Sequence, residues 1–192
     1  VIGQQKPKGG RRRAPPPLNE TRLKELALAY VGRFATSRGK LRAYLKRKVR
    51  ERGWDDSREP DLEGLADRFA ASGYVDDSSY ALAQARNLAS RGYGKRRLAQ
   101  KLRTAGIEED DAVAANAHSD QEALTAALRF AERRRIGPFG DAAADIKERQ
   151  RALAAMVRAG HAFSLARAIV HLAPGAPVDM DELAERASIP PV

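Results

Sequence analysis

Residues 73–107 read Gly73-Tyr74-Val75-Asp76-Asp77, a helix-length run led by Tyr80, then Ser90-Arg91-Gly92-Tyr93-Gly94, then Lys95-Arg96-Arg97-Leu98-Ala99-Gln100-Lys101-Leu102-Arg103-Thr104-Ala105, and last Gly106-Ile107. Two glycine-bearing turns alternate with two runs of helical periodicity. Tyr80, Leu82, Ala85 and Leu88 mark the first run, with Asp77 as its expected N-cap, and Leu98, Leu102 and Ala105 mark the second. Gly106 stops the second run, because glycine enters the left-handed backbone that ends many helices without a steric cost. The outward face of that run is Lys95, Arg96, Arg97, Lys101 and Arg103, with no acid among them. The unit is therefore turn, helix, turn, basic amphipathic helix.

The same unit is legible on either side. Asn19 is a good N-cap for a helix whose apolar face is Leu23, Leu26, Ala27, Tyr30, Val31 and Phe34. A second helix follows Ser37, carries Leu41, Tyr44, Leu45 and Val49 inward, and stops at Gly53. Its outer face is basic through Arg38, Lys40, Arg42, Lys46, Arg47, Lys48, Arg50 and Arg52, opposed only by Glu51. A third helix is expected from about Pro60, with Asp61 and Glu63 at its positive dipole end, up to Gly73. Beyond residue 107, the acids at 108–111 predict a short helix through Val113. Ser119-Asp120-Gln121-Glu122 has the spacing of a capping box and predicts a helix running to Arg133-Arg134-Arg135. The loop at 136–140 separates it from a longer helix ending at Gly160 and a last one through Leu165, Ile169 and Leu172. Asp179, Glu182, Val178 and Leu183 predict one more short helix, with a cap and a hydrophobic staple.

The register is repetitive. Ser37-Arg38-Gly39 recurs as Ser90-Arg91-Gly92 at an offset of 53, which also takes Leu45 to Leu98, Val49 to Leu102 and Gly53-Trp54 to Gly106-Ile107. An offset of 54 takes Leu102 to Met156 and Gly106-Ile107 to Gly160-His161. The reading is an all-α chain of three tandem three-helix repeats in an elongated, curved array. The expected division is a disordered basic arm at 1–18, repeats at 19–75, 76–118 and 119–173, and a tail at 174–192.

Composition agrees with that reading. Aromatic residues are only 6% of the chain, period-2 apolar alternation is lacking, and Ala, Leu, Arg and Glu dominate the interior, which favours helix over sheet. The net charge of +10 favours a polyanion or an acidic protein surface as partner. The sequence contains no cysteine, so disulfides, thiolate zinc sites and cysteine nucleophiles are excluded. No apolar run approaches a bilayer span, and the first residues carry no apolar signal core, so a cytoplasmic protein without membrane contact is expected.

No catalytic constellation emerges, and the expectation is a non-enzymatic protein without cofactor or metal. His118, His161 and His171 lack metal-ligand spacing; His161 stands where Trp54 and Ile107 stand and is read as a packing residue. Asp76-Asp77 is read as a cap rather than a metal pair. Gly137-Pro138-Phe139-Gly140 lacks the Lys-Ser/Thr of a phosphate loop and is read as a turn. What remains is basic surface: Arg38, Lys40, Arg42, Lys46, Arg50, Arg91, Lys95, Arg96, Arg97, Lys101, Arg103, Arg133, Arg134 and Arg135. Tyr93, beside it, can fill its turn or stack on a base. Short basic helices after tight turns also fit a helix-turn-helix regulator that reads duplex DNA.

The motif formed by Gly73, Tyr74, Asp76, Asp77, Tyr80, Gly92, Tyr93, Gly94 and Gly106 resembles the central repeat of the RecX regulatory proteins, and the likeness extends over roughly residues 20–172. It implies a protein that binds the RecA recombinase and its filament on single-stranded DNA, and DNA itself in a further reading; a monomer is expected. It implies inhibition of ATPase, strand exchange and co-protease activity in homologous recombination, DNA repair and the SOS response. The basic faces are taken as the surface that meets RecA, DNA or both.

Overall fold

The structure, a computed structural model, describes residues 15–188. The basic arm residues Lys6, Lys8, Arg11, Arg12 and Arg13 lie outside that range. Among the described residues there are ten α-helices: α1 Glu20–Val31, α2 Arg38–Arg52, α3 Leu62–Ala71, α4 Asp77–Ser90, α5 Lys95–Thr104, α6 Val113–Gln121, α7 Ala123–Arg134, α8 Ile146–Arg158, α9 Phe163–Val170 and α10 Met180–Ser188. Short 3-10 turns at Asp110–Ala112 and Gly137–Phe139 precede α6 and follow α7. The only β pairing among the described residues is a single bridge between Leu18 and Trp54.

Helices α1 to α4 and α8 begin where a side chain takes up free amides, whereas α5, α6, α7 and α9 have no side-chain cap. Asn19, Ser37, Asp61 and Asp76 accept from the backbone of Arg22, Lys40, Gly64 and Ser79. Asp145 and Glu148 form a reciprocal capping box on α8. The apolar stripes converge on three buried clusters. In the first triplet, Leu18, Leu23, Leu41, Leu45 and Leu65 meet. In the second, Leu88, Leu98 and Leu102 close against Ala81, Ala85, Ala112 and Ala115, whose small side chains let α4 and α6 pack closely. In the third, Phe130, Ile136, Met156, Leu165 and Ile169 join Leu183 of α10, so the C-terminal helix docks onto the last triplet. Each buried leucine contributes about 2 kcal/mol by area removed from water.

Four features depart from the sequence reading. Ser119-Asp120-Gln121 is not a cap: Ser119 is buried within α6, and α7 starts after Glu122 without a side-chain cap. Packing of α6 against α4 carries the helix through the polar pattern. Val113 opens α6 rather than closing a helix, and it is exposed. Asp76, not Asp77, caps α4, while Asp77 is its first residue and is buried. The front of the 53-residue match also dissolves: Ser37-Arg38-Gly39 opens α2, whereas Ser90-Arg91-Gly92 closes α4. The helix stops do correspond, since Gly53, Gly106 and Gly160 all take positive φ after α2, α5 and α8.

The three triplets are joined through those second helices. At the first junction the N-terminus of α2 abuts the C-terminus of α5: Ser37 Oγ donates to the Ala105 carbonyl at 2.6 Å. At the second, the N-terminus of α5 abuts the C-terminus of α8: the Gly94 amide donates to Ala159 at 3.0 Å and the Arg96 amide to Gly160 at 3.1 Å. Ala105 and Ala159 are equivalent positions, so the two junctions repeat one contact. The column α8–α5–α2 therefore runs head to tail, with each positive helix end against a negative one. Among the described residues, no hydrogen bond or ion pair links the first triplet to the third. The arrangement is a linear array.

Candidate functional site

The motif at 73–107 turns out to build the junctions. Gly73 takes φ 77° and lets the chain leave α3; Tyr74 lies exposed beside Phe69. Asp76 accepts the Ser79 amide and hydroxyl at 2.8 and 2.7 Å, and these bonds hold its carboxyl below the usual carboxylate range. Asp77 reaches into the first triplet. One oxygen accepts the Arg38 amide at 2.8 Å and the other accepts Arg38 Nε at 2.9 Å. The same guanidinium donates to Asp111 at 3.2 Å, with Asp67 and Glu108 each 3.9 Å away. Asp77 raises the Arg38 pKa still further, so that charge is fixed. Tyr80 is buried and its hydroxyl accepts from Lys40 Nζ at 3.1 Å.

At the second junction Gly92 lies against the Phe130 backbone, and a Cβ on Gly94 would overlap the Gly160 carbonyl. Tyr93 is half-buried and packs against both neighbouring clusters, so it fills its turn. Gly106 lies against Gly39, where a Cβ would stand 2.5 Å from the Ala105 oxygen. His161 is 2% exposed and donates Nε2–H to the Gly92 carbonyl at 3.2 Å. Burial pushes its pKa down, which keeps the ring neutral. The packing role expected from the repeat register is what the geometry has.

The basic residues divide by partner. Arg38 is paired with Asp77 and Asp111 and has Asp67 and Glu108 at 3.9 Å, so its charge is already met by acids. Arg42 pairs with Glu63, Lys95 with Asp120 at 2.7 Å and Arg135 with Asp141 at 3.0 Å. These pairs are exposed and worth little. Arg133 Nη1 donates to the Arg91 carbonyl at 2.7 Å and, with Arg134, lies over the Phe130 ring. Arg91 lies over Tyr93. Lys46, Arg50, Arg96, Lys101 and Arg103 have no carboxylate within ion-pair distance among the described residues. Sequence reasoning missed Arg158 at the end of α8, which faces the same cleft as Arg91 and Arg134; its place two residues before Gly160 was the available signal. No group of acids and histidines able to hold a metal occurs among the described residues, nor any helix long and apolar enough to cross a membrane.

An all-helical array of three-helix units joined end to end, with its charge on the joining helices, is the class the fold defines. The family model described as RecX, second three-helix domain, matches residues 76–115, which span α4, α5 and the first turn of α6. The chain is 30% identical over 171 residues to a protein named Regulatory protein RecX from Myxococcus xanthus, covering 81% of this chain and 88% of the relative. It is 35% identical over 148 residues to the protein of that name from Mycobacteroides abscessus, covering 76% and 71%, and 34% identical over 164 residues to that of Mycobacterium sp. strain JLS, covering 81% and 86%. This chain belongs to the RecX family of regulatory proteins.

Proposed function

We propose that this protein is a non-catalytic regulator of the RecA recombinase. It binds RecA and its filament on single-stranded DNA as a cytoplasmic monomer, and lowers ATP hydrolysis, strand exchange and co-protease activity in recombinational repair and the SOS response. Membership of the RecX family is the observation that carries this reading. The linear array supports it: a rod of welded triplets with basic joining helices suits the groove of a helical filament whose core is a polyanion. The duplex-reading alternative is weakened by the junctions. A recognition helix presents its N-terminal residues to base edges, whereas the N-termini of α2 and α5 are sealed by Ala105 and by Ala159-Gly160. The test is a titration of RecA ATPase on single-stranded DNA. A fall in rate at amounts below equimolar to RecA is expected, and an unchanged rate at every salt concentration overturns the reading.

A further inference from the structure

We infer that the column of joining helices carries a binding groove for a single nucleic-acid strand, centred on Arg97. Two cavities lie along α5. One, of about 400 Å3, sits at the α2–α5 junction and is lined by Lys40, Tyr80, Arg97, Gln100 and Lys101, among others. The other, of about 500 Å3, sits at the α5–α8 junction and takes in Arg91, Tyr93, Arg97, Arg134 and Arg158. Arg97 lines both, so they form one path over the two junctions.

The chemistry of the path is that of a phosphate site. Among the described residues no carboxylate lines either cavity. Among them, too, none of the bases named has a carboxylate within ion-pair distance, in contrast to Arg42, Lys95 and Arg135 outside the groove. Crowded cations without counter-charge repel one another until an anion joins them. Arg91 and Arg134 lie over the Tyr93 and Phe130 rings, an arrangement that leaves guanidinium edges free to donate in pairs to phosphate oxygens.

An acidic protein surface is the poorer fit. Protein interfaces need an apolar centre, and the large exposed apolar side chains, such as Leu28, Phe34, Tyr74 and Ile146, all lie outside the groove. A duplex also fits poorly, because a rigid double helix cannot lower its phosphates into two recesses of this size, while a flexible strand can. The inference rests on the regulatory reading in taking the basic surface as functional, and deepens it by assigning part of that surface to the strand.

The test is fluorescence anisotropy of a labelled oligo-dT with the full chain over a range of salt. Replacing two groove bases, Arg97→Gln with Arg158→Gln, is expected to weaken binding at least about tenfold at low salt and to flatten the log–log salt slope by about 1.4, near 0.7 per lost phosphate contact. The same charge change off the groove, Lys147→Gln with Arg151→Gln, is expected to leave affinity within about twofold. All four side chains are on exposed residues, and an unchanged circular dichroism spectrum certifies folding; Arg134→Gln replaces Arg97→Gln should that variant unfold. Equal losses in the two pairs, full affinity in the groove pair, or equal affinity for duplex overturn the inference. If the groove pair keeps its strand affinity but no longer slows RecA ATPase, the groove is a protein site and the regulatory reading stands. If the groove pair loses the strand while wild-type protein never slows RecA, the groove stands and the regulatory reading falls.

Discussion

At Gly94 a single methyl group decides whether two triplets can meet. Its φ of −87° suits any residue, so the need for glycine comes from the peptide between Gly160 and His161, which a Cβ would overlap. Gly94→Ala is expected to lower stability by about 2 kcal/mol, as overpacking against backbone that cannot move aside. Gly53 is the converse: nothing lies within 4 Å of its missing Cβ, but φ is 79°. Gly53→Ala is expected to cost about 2 kcal/mol as well, because φ 79° with ψ 170° is backbone that essentially only glycine adopts. Urea unfolding of both variants checks the two costs. His161 makes a pH prediction. Its folded-state pKa is depressed by burial, so the unfolded chain binds the proton more readily. Its contribution is therefore complete above the unfolded value near 6.5 and is lost as pH falls below it, with a slope of at most about 1.4 kcal/mol per pH unit. Urea midpoints should drop between neutral pH and pH of about 5.5, and His161→Gln should flatten that drop.

The clasp between α2 and α4 is the element-scale counterpart. Asp77 keeps 4% of its side-chain surface exposed and depends on Arg38 for compensation. Arg38→Ala should cost about 3 kcal/mol, because it strands a buried carboxylate that retains only the backbone amide. Arg38→Met with Asp77→Leu should recover much of that loss. A urea midpoint for Arg38→Ala equal to wild type would mean the clasp is decorative. Helices and their stops were legible in the sequence because both are local: apolar periodicity marks the buried face of α5, and glycine marks its end. The basic character of α2 and α5 was legible for the same reason. What the sequence hid is what crosses triplets. Asp77 reads as a cap until α2, 39 residues away, delivers Arg38. Ser37 and Ala105 are 68 residues apart. At Ser119 the capping pattern was present, and burial against α4 overrode it.

The whole molecule follows from repeating one end-to-end contact. Such a contact is heterologous and, left open, adds units without limit. Here both outer ends of the column are closed. Leu18 pairs with Gly53 and Asp55 beyond the C-terminus of α2, at 3.0 and 2.8 Å, and the Asp145–Glu148 capping box occupies the N-terminus of α8. That closure keeps the column at a fixed length. The regulatory account needs the rod intact, because triplets that part present the same charges without a common line. The most direct measurement is the rate of RecA ATP hydrolysis on single-stranded DNA, titrated with wild-type protein and with a folded Gly94→Ala variant. The account predicts strong inhibition by the wild type and a clear loss of potency when the junction is opened. A rate that ignores the wild-type protein throughout the titration would contradict it.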